Sequence, residues 1–324
     1  MLEQQTDAIR SRVEPRAAAP ARRAWRTRLW RRLRSAQAYL YLLPALLSIA
    51  IWIYWPLANT FVLSVYQWNL MPTTPMIFVG WDNYRQVLTM PEIAQAIRNT
   101  GIYILGMLIF SVLLPLVIAV VVADFQGRLR TLYRALIFTP MLIAPVVVAI
   151  VWRWILHPLQ GILSVTLYTL TGWESIQWLN HRTLTIWVIV AITGWKLLGF
   201  SVLIFSAGIA HINREYLDAA SVDGAARWQQ IRFVTLPLLS PTITFMVLLT
   251  VLLAAQWTFP LINVLTQGGP LDATTNVYYI LWQFAFRSFN VGWSAAASVL
   301  FFIAFSVLAL IFLWFTDRYS FYDA

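Results

Sequence analysis

Residues able to do covalent or metal chemistry are scarce in this chain. It has no cysteine, which removes thiolate nucleophiles, disulfides and thiolate metal sites, and it has 3 histidines. His157, His181 and His211 stand far apart, and none has a second ligand at the spacing of a zinc motif such as H-x-x-E-H. The 13 acidic residues fall in the N-terminal stretch, in loops and near the ends of apolar runs, never deep inside one. No G-x-x-x-x-G-K-[ST] loop occurs, and the only lysine, Lys196, lies inside an apolar run, so a Walker-type ATP site is excluded. What remains is a small set of polar and aromatic side chains within apolar segments: Trp195, Lys196, Gln256, Trp257 and Asn263. Lys196 has no acidic residue of this chain at its depth. A buried ammonium needs a counter-charge, backbone carbonyls and water, or an anionic ligand.

The elements that carry these residues follow from composition. Of 324 residues 60% are hydrophobic and 11% charged, against roughly 25% charged in a soluble domain. That is too little charge to coat a globule, so lipid must cover much of the surface. Six apolar runs are long enough to cross a ~30 Å hydrocarbon core: Tyr39–Ser64, Ile102–Val122, Ala135–Leu156, Leu184–Ala210, Thr242–Ile262 and Trp293–Phe315. The prolines within them (Pro44, Pro56, Pro115, Pro140, Pro145) predict kinks. An all-α integral membrane fold with six transmembrane helices is therefore expected.

Basic residues set the orientation. About 17 of them lie in the N-terminal stretch, in alternate loops and at the C-terminus, against 4 in the opposite loops (Arg85, Arg98, Arg182, Arg287). The positive-inside rule then puts both termini in the cytoplasm. The net charge of +10 is dominated by about ten arginines in the first 34 residues, a contact for lipid headgroups rather than for nucleic acid. Residues 1–36 are expected to be a basic cytoplasmic tail, with Trp25, Leu29 and Leu33 on one side of a short amphipathic helix. Residues 37–324 form the transmembrane domain. The outward loops hold no domain of their own but are aromatic-rich: Trp68, Phe78, Trp81 and Tyr84, then Trp173 and Trp178, then Tyr278 to Phe289. This pattern fits an interfacial belt or a docking surface.

The longest cytoplasmic loop, residues 211–240, reads as two short helices around a turn. Asn213 can cap the first helix with Glu215 in its first turn. Ala219 and Ala220 offer a face without bulk, and Gly224 permits a sharp turn. Trp228, Ile231 and Phe233 follow on a second amphipathic segment, and Pro237 and Pro241 close it. A helix pair pinned between two spans suits transmission of force.

Here the chain resembles a family. Asp218-Ala-Ala-x-x-Asp-Gly-Ala with Leu236-Pro-x-x-x-Pro241 is similar to the EAA loop of binding-protein-dependent ABC importer permeases, with Asp218 where Glu is usual. Leu265-Thr-Gln-Gly-Gly-Pro270, Phe78-Val-Gly-Trp-Asp-Asn-Tyr84 and Trp195-Lys196 resemble the carbohydrate-uptake group, which includes maltose, trehalose and glycerol-3-phosphate permeases. The resemblance implies a type I ABC importer permease fold in the bacterial inner membrane. It further implies a heterodimer with a second permease subunit, two ATPase subunits that hold ATP and Mg, and an extracytoplasmic solute-binding protein. The chain itself would be non-catalytic and without cofactor. Glu215, Asp218, Ala219, Ala220, Asp223, Gly224 and Pro237 would form the coupling contact on an ATPase. Gly268, Gly269, Pro270, Tyr278 and Trp282 would lie on the face toward the binding protein. Trp195, Lys196, Gln256, Trp257 and Asn263 would line the path, since Trp faces stack on sugar rings and amides bond hydroxyls. The alternative within the class is a polyol phosphate such as glycerol-3-phosphate. A secondary transporter is the alternative outside it, but such proteins carry membrane-embedded carboxylates, and inverted repeats are not visible here.

Overall fold

The computed structural model describes residues 41–124, 127–172 and 176–319. The basic tail with Trp25, Leu29 and Leu33, and also Trp173, lie outside the described residues. The chain divides into two units, Met1–Asn59 and Thr60–Ala324. In chain order the elements are α1 (Tyr41–Leu63), a two-residue pair β1 (Tyr66–Gln67) and β2 (Ile77–Phe78), α2 (Asp82–Thr89) and α3 (Pro91–Val121). Then come α4 (Gly127–Leu142), α5 (Pro145–Ile155), α6 (Ile162–Thr171), α7 (Leu184–His211), α8 (Arg214–Val222) and α9 (Arg227–Gln230). The rest is α10 (Ser240–Thr266), α11 (Val277–Phe286) and α12 (Val291–Tyr319). β1 and β2 pair antiparallel, Tyr66 opposite Phe78. Among the described residues five helices (α1, α3, α7, α10, α12) are each long and apolar enough to cross a membrane, and α4 with α5 makes a sixth if the bent pair is one span.

Pro140 stays inside α4, and four other prolines act in two ways. A proline lacks the N–H that the carbonyl four residues earlier would accept, and its ring crowds that carbonyl. Before Pro56, Pro115 and Pro237 the preceding turn widens to a π turn, at Ala50–Tyr54, Ile109–Leu113 and Ile231–Thr235, and the helix continues. In the third apolar run the outcome differs from the kinked single span expected over Ala135–Leu156. Ala144 leaves the helical region at ψ 135°, as a residue before proline tends to. The run breaks there into α4 and α5 at an angle of 95°.

α7 is the hub of the larger unit. Its Ile186, Ile189 and Val190 share one core with Tyr103 and Met107 of α3, Val148 and Ala149 of α5, and Ala254, Leu261 and Ile262 of α10. Lipid tails are as apolar as leucine, so close backbone approach rather than hydrophobic drive joins such helices. Two glycines supply it on α7. A Cβ at Gly194 would run into the Phe110 ring of α3, and one at Gly199 into the Ile137 carbonyl of α4.

Candidate functional site

Three places collect the candidate residues. The first is the hairpin 211–240. Asn213 accepts the Glu215 N–H at 3.1 Å on its side-chain oxygen, and its amide donates to a Glu215 carboxylate oxygen at 3.1 Å. α8 ends in a Schellman turn: Gly224 at φ +78° donates to the Ser221 carbonyl at 3.1 Å, and Ala225 donates to the Ala220 carbonyl at 2.9 Å. The Gln229 side chain accepts the Ala226 N–H at 2.7 Å and so opens α9 with half a capping box. Gln230 Nε2 ties the two helices together, donating to Ser221 Oγ and to the Ala225 carbonyl, each at 3.0 Å. Glu215, Asp218, Ala219, Asp223 and Gly224 are exposed, while Ala220 and Pro237 are half-buried. Around them stand apolar side chains with no cover: Val222 is 87% exposed, and Trp228 and Phe233 pack as an exposed tilted pair at 6.3 Å. At its root, Asn213 and Tyr216 border a cavity of about 740 Å³ with Gly208 and His211 of α7 and Thr242 and Phe245 of α10. The hairpin is internally braced, outwardly bare and loosely filled where it joins the spans.

The second place is mid-span. Lys196 is 9% exposed, and its Nζ donates to the Met141 carbonyl at 3.2 Å. Of the three partners open to a buried ammonium, a backbone carbonyl is the one this chain supplies. Trp195 is exposed and meets Trp152 of α5 edge to face at 5.9 Å. Gln256 is exposed on α10 and Asn263 half-buried, while Trp257 packs against the main core. The five residues thus differ in setting. Trp195 and Gln256 present surface, whereas Lys196 and Trp257 are spoken for inside the chain.

The third place is the loop 266–276. Gly268 is buried at φ +88°, and Gly269–Pro270 is a cis bond. Thr274 Oγ1 lies 2.8 Å from Thr266 Oγ1 and donates to the Gly269 carbonyl at 3.0 Å. From α3, Asn99 donates to the carbonyls of Asp272 (3.0 Å) and Thr275 (2.8 Å), and the Tyr103 hydroxyl donates to that of Thr274 (3.0 Å). Asn276 caps α11, accepting the Tyr279 N–H at 2.8 Å, while its Nδ2 reaches the Ala255 carbonyl of α10 at 2.7 Å. The loop is therefore a strut between α3, α10 and α11, buried at Gly268 and over residues 273–276. Gly269, Pro270 and Trp282 are half-buried, Tyr278 is exposed, and Leu271 is 83% exposed. Arg287 bonds Gln267 Oε1 at 2.9 Å and lies over the Trp282 ring at 5.5 Å.

Sequence reasoning passed over Asn99, Tyr103 and Asn276. Asn276 had a signal, a short amide just before the apolar run of α11; Asn99 and Tyr103 had none, because their partners lie more than 170 residues away. The histidines finish backbone ends. His157 Nδ1 accepts the Gln160 N–H at 3.2 Å, His181 Nδ1 accepts the Leu184 N–H at 3.1 Å, and His211 Nδ1 lies 2.7 Å from the Ala207 carbonyl oxygen.

A family model described as "Binding-protein-dependent transport system inner membrane component" matches residues 111–320. The chain is 30% identical over 284 residues to the sn-glycerol-3-phosphate transport system permease protein UgpA of Pectobacterium atrosepticum, covering 86% of this chain and 94% of that protein. It is 30% identical over 306 residues to the probable ABC transporter permease protein y4oQ of Sinorhizobium fredii, covering 94% and 96%. Among solved structures, a chain of a bacterial ABC transporter involved in the import of the acidic polysaccharide alginate superposes with a TM-score of 0.79 at 22% identity, over 90% of this chain and 99% of that one.

Proposed function

The chain belongs to the family of binding-protein-dependent transport system inner membrane components, and from that premise we propose that it forms half of the translocation pathway for a sugar or sugar-like solute. It is a non-catalytic, multi-pass permease subunit of an ABC importer in the inner membrane, and such importers work with an ATPase and a solute-binding protein. The subunit set we assign is one further permease and two ATPases. Residues 37–324 act as the permease domain, residues 1–36 as a cytoplasmic tail, and both termini face the cytoplasm by the excess of arginine on that side.

The observation that carries the mechanism is the hairpin. Its two helices are braced to each other, its outer face is bare, and it joins α7 directly to α10. We assign Glu215, Asp218, Ala219, Ala220, Asp223, Gly224 and Pro237 to the contact with an ATPase, so that closure of the ATPases moves both spans. A polyol phosphate is the second reading of the solute, favoured by the glycerol-3-phosphate permeases among the relatives.

The test begins with the cognate binding protein. A neutral sugar or polyol is expected to raise its melting temperature, and the same compound should enter proteoliposomes holding the whole importer only with ATP. Stabilisation by peptides alone would refute the solute class, and uptake driven by an ion gradient without ATP would refute the transport class. In the same vesicles Trp195→Ala and Gln256→Ala, both on surface positions, are expected to lower uptake several-fold with the complex yield unchanged. Silence of both, and of Lys196, Trp257 and Asn263 as well, would move the path elsewhere.

The outward face is tested by two single cysteines in this cysteine-free chain. We assign Gly268, Gly269, Pro270, Tyr278 and Trp282 to binding-protein recognition, and Leu271 and Tyr278 are the exposed positions in or beside that set used to probe it. A cysteine at Leu271 is expected to cross-link to the binding protein and to react with an impermeant reagent from outside. One at Val222 should react only from the cytoplasmic side. The reverse labelling pattern would overturn the orientation, and links from Trp81 in place of Leu271 would relocate the interface.

A further inference from the structure

We propose that Lys196 is a conformational latch of the third span: its ammonium takes the place of the backbone N–H that Pro145 lacks and so holds the bend between α4 and α5. The inference rests on the reading of this chain as half of a translocation pathway, and it assigns a positioning residue within it.

In an unbroken helix the Met141 carbonyl would accept the N–H of residue 145, and residue 145 is proline. The carbonyl is left over at the end of α4, where the aligned peptide dipoles favour a cation. Lys196 Nζ fills that position at 3.2 Å from the oxygen. The approach depends on Gly199, one turn further along α7, because a Cβ there would collide with the Ile137 carbonyl, one turn before Met141 on α4. Lysine 196 and glycine 199 thus share the face of α7 that meets α4.

The latch has the properties of something that opens. It is a single hydrogen bond to one carbonyl, not an interdigitated apolar contact. An open groove of about 490 Å³ runs between α4 and α7 next to it, bordered by Phe138, Leu142, Gly199 and Val202. An ammonium has three donors. Thr193, three residues earlier and toward the N-terminus where a helical lysine leans, has a buried hydroxyl without a partner among the described residues. The released ammonium has a polar neighbour to turn to on its own helix. One of its three donors goes to Met141 in this state, and through that bond Lys196 acts on the shape of the span.

The experiment uses the whole importer in lipid nanodiscs, with spin labels on Leu136→Cys of α4 and Val147→Cys of α5, both exposed positions. Lys196→Met is expected to lengthen and broaden the label-to-label distance and to lower uptake by roughly tenfold or more, the weight of one charge-assisted hydrogen bond. Lys196→Arg should restore both. Pro145→Ala, which returns an N–H to compete for the Met141 carbonyl, should lengthen the distance with Lys196 intact, and it carries the test if Lys196→Met does not assemble. Wild-type distances in Lys196→Met, or in Pro145→Ala where that variant stands in, overturn the latch. So does selective loss of an anionic solute with the bend unchanged, which would make Lys196 a ligand. The distance is read without solute, so failure of the latch is separable from failure of the transport assignment, which would show as no uptake by the wild type.

Discussion

Replacing Gly224 by valine is expected to lower ATP-driven uptake at least tenfold while leaving the membrane domain as stable as the wild type. Gly224 sits at φ +78°, and a Cβ added to it would meet nothing within 4 Å. The penalty is therefore conformational: roughly 1–2 kcal/mol for any side chain forced left-handed, and more for a β-branched one. The chain escapes it by abandoning the turn. The bonds from Gly224 to Ser221 and from Ala225 to Ala220 then go, together with the Gln230 ties across the hairpin. α8 and α9 would no longer move as one body, and a push on α8 would be lost before it reached α10. Asparagine, which tolerates this region, should keep most of the activity at the same position, and alanine should fall between. Asp218→Lys tests the surface independently, since Asp218 is exposed and its reversal leaves the fold alone. It is expected to weaken recovery of the ATPase with the permease. Normal uptake and normal complex yield in both Gly224→Val and Asp218→Lys would sink the coupling assignment.

How much of this was legible in the sequence depended on how local its cause was. The hairpin was legible because Asn213, Gly224 and the prolines act on neighbours a few residues away. The apolar runs were legible because span length is set by the bilayer, and their observed ends differ mainly where helix continues past the apolar window, as at Pro91 and Ser240. The fate of each proline was not. Pro56 and Pro115 are accommodated by widened turns, whereas Pro145 breaks its span. What distinguishes the break is a lysine 51 positions further along, donating to a carbonyl on the far side of the gap. The bracing of the Gly-Gly-Pro loop was hidden for the same reason. Its composition marks a turn and nothing more, while the carbonyls of Asp272, Thr274 and Thr275 that follow it are taken by Asn99 and Tyr103 of α3. Contacts of that span leave no periodic trace in one sequence.

The loop gives the second large effect. Asn276→Ala is expected to destabilise the purified permease by about 3 kcal/mol, read as a lower unfolding temperature in detergent and a reduced yield. The side chain is fully buried and makes three bonds: it accepts the Tyr279 N–H and donates to the Ala255 carbonyl and to Thr258 Oγ1 at 3.0 Å. Loss of the cap on the Tyr279 N–H costs about 1 kcal/mol, and loss of the two buried bonds to Ala255 and Thr258 adds about 0.5–1.5 kcal/mol each. Gly268→Ala should cost a similar amount by another route. Its Cβ would stand 2.6 Å from Thr275 Oγ1 and 2.9 Å from the Tyr279 ring, at a φ of +88°, and overpacking and backbone strain each cost on the order of 1–3 kcal/mol. The two sites share Thr275 and Tyr279 as neighbours, so the double variant should lose less than the sum. Leu271→Ala, on the exposed tip, should unfold with the wild type. Because the strut joins α3 and α10 to α11, both buried variants should also lower uptake in whatever fraction remains folded, whereas the tip variant should act only through the binding protein. If Asn276→Ala and Gly268→Ala were as stable as the wild type and lost only the response to the binding protein, the segment would be a recognition surface and not a strut.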